Sequence, residues 1–269
     1  MLVIGENINA SNKSVAEAIV RRDGEFLESL ARAEAAAGAD FIDVNAGAGH
    51  GTPEQEIATM EWLVEVVQGA TDKPLTIDSD NSSVIEAALR KYRGERLIIN
   101  SVNAEPERLK LIGSLAAKHH AWLVGLAMGT NGIPDNVEGR LAACDVIMTH
   151  LTRLGIGAEQ IFFDPLVLPI SVDSNQGLVT LKTIEQIKSR YPAAGTVMGL
   201  SNISYGLPNR KLVNRAFLLM AASAGLDAAI LDPLDTKIMS FAKVANMLTG
   251  KDPFCKDYIR AHRKGMLLD

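Results

Sequence analysis

Five polar residues stand at the ends of short apolar runs: Asn45 closes FIDVN, Asp78 closes LTID, Asn100 closes LIIN, Asp164 closes IFFD, and Asn202 follows TVMGLS. The set holds carboxylates and amides and no cation. An ionised carboxylate only accepts hydrogen bonds and can take a paired donor, whereas an amide donates and accepts without carrying charge. Together they suit recognition of a flat heterocycle with several N–H donors, as guanine-like and pterin-like rings have. Each residue also has a plainer use. An Asp at such a position caps the helix that follows, and an Asn satisfies backbone groups in a turn. A shared site is favoured because one design, an apolar run and then a polar tip, recurs along the chain.

The elements that must position these tips alternate regularly. Strand-like runs are expected at Leu2–Ile4, Phe41–Val44, Pro74–Ile77, Leu97–Ile99, Ala121–Ala127, Gln160–Phe163, Thr196–Met198 and Asp227–Leu231. Helices are expected between them, among others over Phe26–Ala37, Val137–Arg153, Pro208–Ala224 and Asp235–Leu248. Thr52, Pro53 and Gln55 have the spacing of a capping box with Pro at the first helical position, and Ile57, Met60, Leu63, Val64 and Val67 make one apolar face after it. Gly225 fits a C-terminal cap. Eight alternations in one chain of this length point to an α/β protein, a single (β/α)8 barrel (the TIM barrel) over residues 1–269, with a C-terminal extension from about 250. A doubly wound open sheet is the alternative. In a barrel, strand tips converge on one mouth, so the five residues would share a pocket. The TVMGLSNIS stretch, Thr196–Ser204, is its centre, with Gly199, Ser201 and Asn202 leaving the seventh strand.

Composition excludes several other classes. A net charge of -5 and the lack of a dominant basic stripe argue against nucleic acid. Hydrophobic content of 47% with 5% aromatics is that of helices packed on buried parallel strands. No membrane span or signal peptide is read at the N-terminus, MLVIGENINA. Cys144 and Cys255 are too few to staple the chain and read as reduced thiols, so a cytoplasmic protein is expected.

Other chemistries find less support. Asp43, Asp78, Asp164 and Asp232 could in principle hold Mg²⁺ through oxygen. His50, His119, His120 and His150 make no HxH or HExxH spacing, so no protein-bound metal is expected. His50 reads as a solvated loop residue. There is no GxSxG elbow, Cys144 lies mid-helix among apolar neighbours, and the glycines do not spell a dinucleotide fingerprint. Lys and Arg are sparse at the tips. Arg210, Lys211 and Arg215 near the start of the seventh helix are either a solvated face or the contact for an anionic tail.

Longer motifs carry a resemblance. TIDSDN (Thr76–Asn81), LIINSVNAE (Leu97–Glu105), FFDPLVLP (Phe162–Pro169), GLSNIS (Gly199–Ser204), the opening IGENIN, the MEWLVEVVQ helix from Met60 and GLDAAILDP from Gly225 resemble the methyltetrahydrofolate-dependent corrinoid protein methyltransferases. These are pterin-binding barrels related to dihydropteroate synthase and to the folate module of cobalamin-dependent methionine synthase. The resemblance implies that Asp78, Asn100 and Asp164 hold the pterin ring and that Asn202 reaches N5, with Asn45, Gly199 and Ser201 beside them. It also implies tetrahydrofolate or methyltetrahydrofolate as substrate, a corrinoid (cobalamin) carried by a partner protein, and a homodimer, with Pro253–Leu268 as candidate contact. Asn202 and Asp78 are then the catalytic pair: charge develops at N5, an amide oxygen stabilises it, and the proton passes through water or Asp78. Tyr205 departs from the acetogenic members, which have an amide side chain there. That favours a demethylation pathway, of methoxylated aromatics or of methylamines such as betaine, over the acetogenic direction toward a corrinoid iron–sulfur protein. Dihydropteroate synthase and a non-catalytic folate-binding subunit are the rival functions. The synthase needs a cation at the tip after the seventh strand, where this chain has Leu200, Ser201 and Asn202.

Overall fold

In a short strand, alternate side chains face opposite sides, and a closed barrel turns one of those sides into an interior. The computed structural model describes residues 1–47 and 52–268, so His50 lies outside the described residues. Its eight parallel strands close in sequence order, the first pairing with the last. They are β1 (Leu2–Gly5), β2 (Phe41–Asn45), β3 (Leu75–Asp78), β4 (Leu97–Val102), β5 (Trp122–Leu126), β6 (Ile161–Asp164), β7 (Gly195–Gly199) and β8 (Ala228–Leu231). The (β/α)8 barrel expected from the alternation is the fold that forms.

The interior is built in layers from the inward-facing residues. Ile4, Phe41, Ile98, Val124, Phe162, Val197 and Ala228 pack together, with Trp122 against them. The Trp122 ring sits 5.9 Å from Phe41 and 5.6 Å from Phe162, and these aromatics plug the end where the strands begin. Each large ring buried there contributes roughly 2–3 kcal/mol of transfer free energy. Gly195 is required by this plug, since a Cβ on it would lie 2.5 Å from the Phe162 ring. Two residues further along β2, β4 and β6 the inward positions turn polar, at Asp43, Asn100 and Asp164, while β5 and β8 keep Leu126 and Ile230 against the cluster.

Ten helices surround the barrel among the described residues: α1 (Lys13–Arg21), α2 (Gly24–Ala37), α3 (Pro53–Ala70), α4 (Ser82–Lys91), α5 (Pro106–His119), α6 (Val137–Arg153), α7 (Gln176–Arg190), α8 (Arg210–Ala224), α9 (Thr236–Leu248) and α10 (Lys256–Arg263). Thr52 and Gln55 form the expected capping box on α3, and Gly225 closes α8 in the left-handed conformation at φ 114°. Several boundaries differ from expectation. β4 runs on to Val102, so Asn100 lies within the strand and not beyond it. α8 starts at Arg210 because Asn209, at φ 49°, breaks the helical path after Pro208. α1, unanticipated, buries only Val15 and Ala18, too little apolar surface to leave a stripe in the sequence.

Candidate ligand-binding site

Strand register sets the open end. Asn45 pairs in register with Asp78, Asp78 with Asn100, and Leu126 with Asp164. Asn45, Asp78, Asn100 and Asp164 are each partly exposed there, whereas Asp43, one inward position below Asn45, is closed off at 2% exposure. Four of the five tip residues therefore line the mouth as strand positions. The fifth, Asn202, is carried by a short 3-10 helix, Leu200–Ser204, that leaves β7. It is exposed, and a Cβ on Gly199 would lie 3.7 Å from its Nδ2, so the amide stays beside the strand end.

The hydrogen bonds define what each group has left to offer. Asn45 donates from Nδ2 to Asp78 Oδ2 at 2.8 Å, and its Oδ1 accepts from the Gly47 N–H at 2.8 Å. Burial raises the Asp78 pKa, and the Asn45 bond opposes that shift. Asp164 Oδ1 accepts from the Leu166 N–H at 2.7 Å, an arrangement that puts Leu166 at φ 63°. Desolvation by the mouth's walls pushes the Asp164 pKa up to about 7, against that backbone bond and the charge of Arg140. A carboxyl poised there ionises readily once a ligand offers it donors.

The mouth holds more charge than its strand tips suggest. Glu6, just past β1, has its pKa raised to about 7 by burial and by Asp232, with Arg210 acting against both. Asn7 donates to Asp232 Oδ1 at 2.7 Å and, from its backbone, to Glu34 Oε1 at 3.0 Å. Glu34 is fully buried, and it fits because Gly5 leaves space: a Cβ there would lie 2.6 Å from Oε1. Arg108 donates to the carbonyls of Ser79, Asp80 and Ser101, binding the loops after β3 and β4 together. Arg210 donates to Ser201 O at 2.7 Å and to Ser204 Oγ at 3.1 Å, which holds its guanidinium at this end of the barrel. Arg215 is committed to Asp235, with both carboxylate oxygens at 3.0 Å, and Lys211 shares that partner at 3.3 Å. Glu6, Ser201, Arg210 and Asp232 line a cavity of about 340 Å³ between α8 and α9.

Sequence reasoning passed over Glu34 and Arg140. Both had a signal: Glu34 falls on the stripe of Leu27 and Ala31, and Arg140 on that of Cys144, Ile147 and Leu151, so each is a charge on an apolar helix face. Cys144 itself is buried, and burial lifts its thiol to about 12, which suits packing. Among the described residues no group of three or more His, Cys, Asp or Glu is arranged to hold a metal ion.

A closed parallel barrel whose open mouth is lined by carboxylates and amides defines the class, an α/β barrel with a polar site at its strand ends. The chain belongs to the pterin binding enzyme family, whose model matches residues 5–232. It is 32% identical, over 99% of its length and 98% of the relative's, to the methylcorrinoid:tetrahydrofolate methyltransferase of Eubacterium limosum. It is 31% identical over 86% of its length to the methionine synthase of Mycobacterium leprae (strain TN), of which it spans 20%. Among solved structures, a dihydropteroate synthase from Xanthomonas albilineans shares the fold at a TM-score of 0.69 and 18% identity, covering 94% of this chain and 93% of that one.

Proposed function

We propose that this protein is a methyltransferase moving a methyl group between N5 of tetrahydrofolate and the cobalt of a corrinoid carried by a partner protein, in the cytoplasm. The observation that carries the reading is the full-length similarity to the E. limosum enzyme. The site's donor set fits the ring. Asp164 keeps Oδ2 free of protein hydrogen bonds among the described residues, so it can accept from the N3 and 2-amino donors of a pterin. Asp78, held by Asn45, and Asn100 beside it in register supply further acceptors and an amide. Arg210, backed by Lys211 and Arg215 around Asp235, faces the anionic tail of folate.

In the chemical step, the neutral N5 attacks the methyl carbon. The carbon–cobalt bond breaks with its electron pair left on the metal, and N5 then loses its proton. Positive charge develops at N5, and the Asn202 amide oxygen stabilises it without being an acid. The proton leaves through water or Asp78, whose raised pKa suits a transient acceptor. Corrinoid bound to the partner supplies the methyl carrier, so this chain needs to bind, orient and deprotonate the folate.

The direction we favour forms methyltetrahydrofolate in a demethylation pathway, of methoxylated aromatics or of methylamines such as betaine. The name of the E. limosum relative runs that way. Tyr205, exposed at the mouth with the Arg210 guanidinium 6.0 Å from its ring centre, presents the partner with an aromatic surface in place of an amide. Assay of methyl transfer with methylcobalamin and tetrahydrofolate, and of the reverse, tests the proposal. Folate binding without transfer in either direction would leave a binding subunit, and condensation of a pterin pyrophosphate with p-aminobenzoate would make it a synthase.

A further inference from the structure

Among the described residues Arg140 is the largest fully buried side chain. It sits in the first turn of α6, where the helix dipole disfavours a cation. Its Nε donates to Pro134 O at 3.0 Å and its Nη2 to Gln176 Oε1 at 2.8 Å. Nη1 is buried without a partner among the described residues. Two neutral acceptors do not balance a buried charge, which is stable only when a carboxylate compensates it. The two carboxylates acting on Arg140 are Asp164 and Asp135, and Asp135 is exposed, so its charge is screened by water. Asp164, at the end of β6, is the less screened of the two, and it acts on Arg140 through space without a direct salt bridge, from between the loops that Arg140 bonds. From the Asp164 side the groups acting on it are the Leu166 N–H and Arg140, with Cys144 of α6 close by and neutral.

The same guanidinium ties together the two loops that frame Asp164. Pro134 belongs to the loop between β5 and α6, and Gln176 opens α7 after the loop that follows Asp164. Gln176 extends the link, donating from Nε2 to Asp173 Oδ2 at 3.0 Å and to Asp135 O at 3.5 Å.

We propose that Arg140 is a positioning residue for folate binding, compensating the Asp164 carboxylate from behind the site while clasping the loops on either side of it. The inference rests on the assignment of Asp164 to the pterin. It gives Arg140 an electrostatic task that simple core packing would not.

The test is the pH dependence of tetrahydrofolate affinity, measured by anaerobic calorimetric titration between pH 6 and 9. Paired donors need an ionised Asp164, so wild-type affinity rises with pH through the Asp164 pKa of about 7. In Arg140→Gln the midpoint of that rise moves up by about one unit, with roughly fivefold weaker binding at pH 7 and near wild-type binding at pH 9. Arg140→Lys keeps the charge and holds the midpoint close to wild type. Gln176→Leu cuts the clasp, keeps the charge and leaves the midpoint in place. An equal loss of affinity at every pH in Arg140→Gln, or a Lys variant that shifts as far as Gln, overturns the proposal. If Arg140→Gln does not fold, Asp164→Asn decides: it strands the buried guanidinium and lowers the urea midpoint, and an unchanged midpoint overturns the pairing. A wild type that does not bind tetrahydrofolate at all overturns the functional reading itself, and the proposal with it.

Discussion

Asn45 and Asp78 come from neighbouring strands in register, and the Asn45 Nδ2–H donates to Asp78 Oδ2 at 2.8 Å at the barrel's mouth. A donor on a carboxylate favours its ionised form, and here it works against burial. Replacing Asn45 with Ala removes that donor and raises the Asp78 pKa further. Folate affinity is expected to fall by about tenfold, a loss of about 1.4 kcal/mol. The loss should be larger at pH 6 than at pH 8, and a uniform loss across that range would count against it.

Asn202→Ala is expected to lower turnover by roughly 10²-fold to 10³-fold, as loss of one preorganised hydrogen bond to developing charge does. Asn202 itself is exposed on the short 3-10 helix, so its truncation leaves the fold intact. Folate affinity should fall much less than turnover. Wild-type turnover in the variant would make Asn202 a turn residue and sink the mechanism.

Asp164→Asn keeps the shape of the side chain but turns one acceptor into an NH₂ group facing a ring donor. Each charge-assisted hydrogen bond lost there is worth on the order of 1.5–3 kcal/mol, so tetrahydrofolate binding should weaken by at least about tenfold. Calorimetry on the folded variant measures it. Unchanged affinity would mean that Asp164 only receives the Leu166 N–H.

Glu34 makes stability depend on pH. Burial raises its pKa from the ordinary 4.5 to about 7, its Oε1 accepts from Asn7 N–H, and its Oε2 is buried without a partner. A carboxyl whose folded pKa lies above its unfolded one contributes fully below pH ~4.5, and the contribution fades as pH rises through about 7. Glu34→Gln removes the titration. Relative to wild type the variant should gain stability between pH 5 and pH 8, on the order of 2–3 kcal/mol, read by urea denaturation at both values. A pH-independent difference would show that folding does not raise the Glu34 pKa.

The C-terminal segment offers a test of assembly. It folds back so that the Leu268 N–H donates to Ser240 Oγ at 2.8 Å, yet Phe254 stays 86% exposed and Ile259 and Met266 are also open. We expect a homodimer that uses this surface and leaves the mouth free for a bulky corrinoid domain. Light scattering at micromolar concentration checks it, with Phe254→Ser expected to shift the mass toward monomer. A wild-type monomer would refute the expectation.

The barrel was legible in the sequence because short, near-continuous apolar runs of the length of β2 and β6, each ended by an Asp or Asn, are a local property of the chain. So were the capping box at Thr52 and Gln55 and the stop at Gly225, which depend on residues within a few positions of each other. The same locality made Asn45, Asp78, Asn100 and Asp164 readable as tips, and Asn202 as the residue after the seventh. What the sequence could not fix was which charges meet. Arg210 reads as either a solvated helix start or a contact for an anionic tail, and tertiary folding lays it on the Ser201 carbonyl. Arg215 reads as its equal, and Asp235 from the next unit takes its guanidinium. Glu34 and Asn7 are 27 residues apart and Arg140 and Gln176 are 36 apart, yet each pair meets within hydrogen-bond distance. Such contacts arise when register and barrel closure bring separate βα units side by side. The resulting electrostatics follow from burial and distance, which only the folded chain sets.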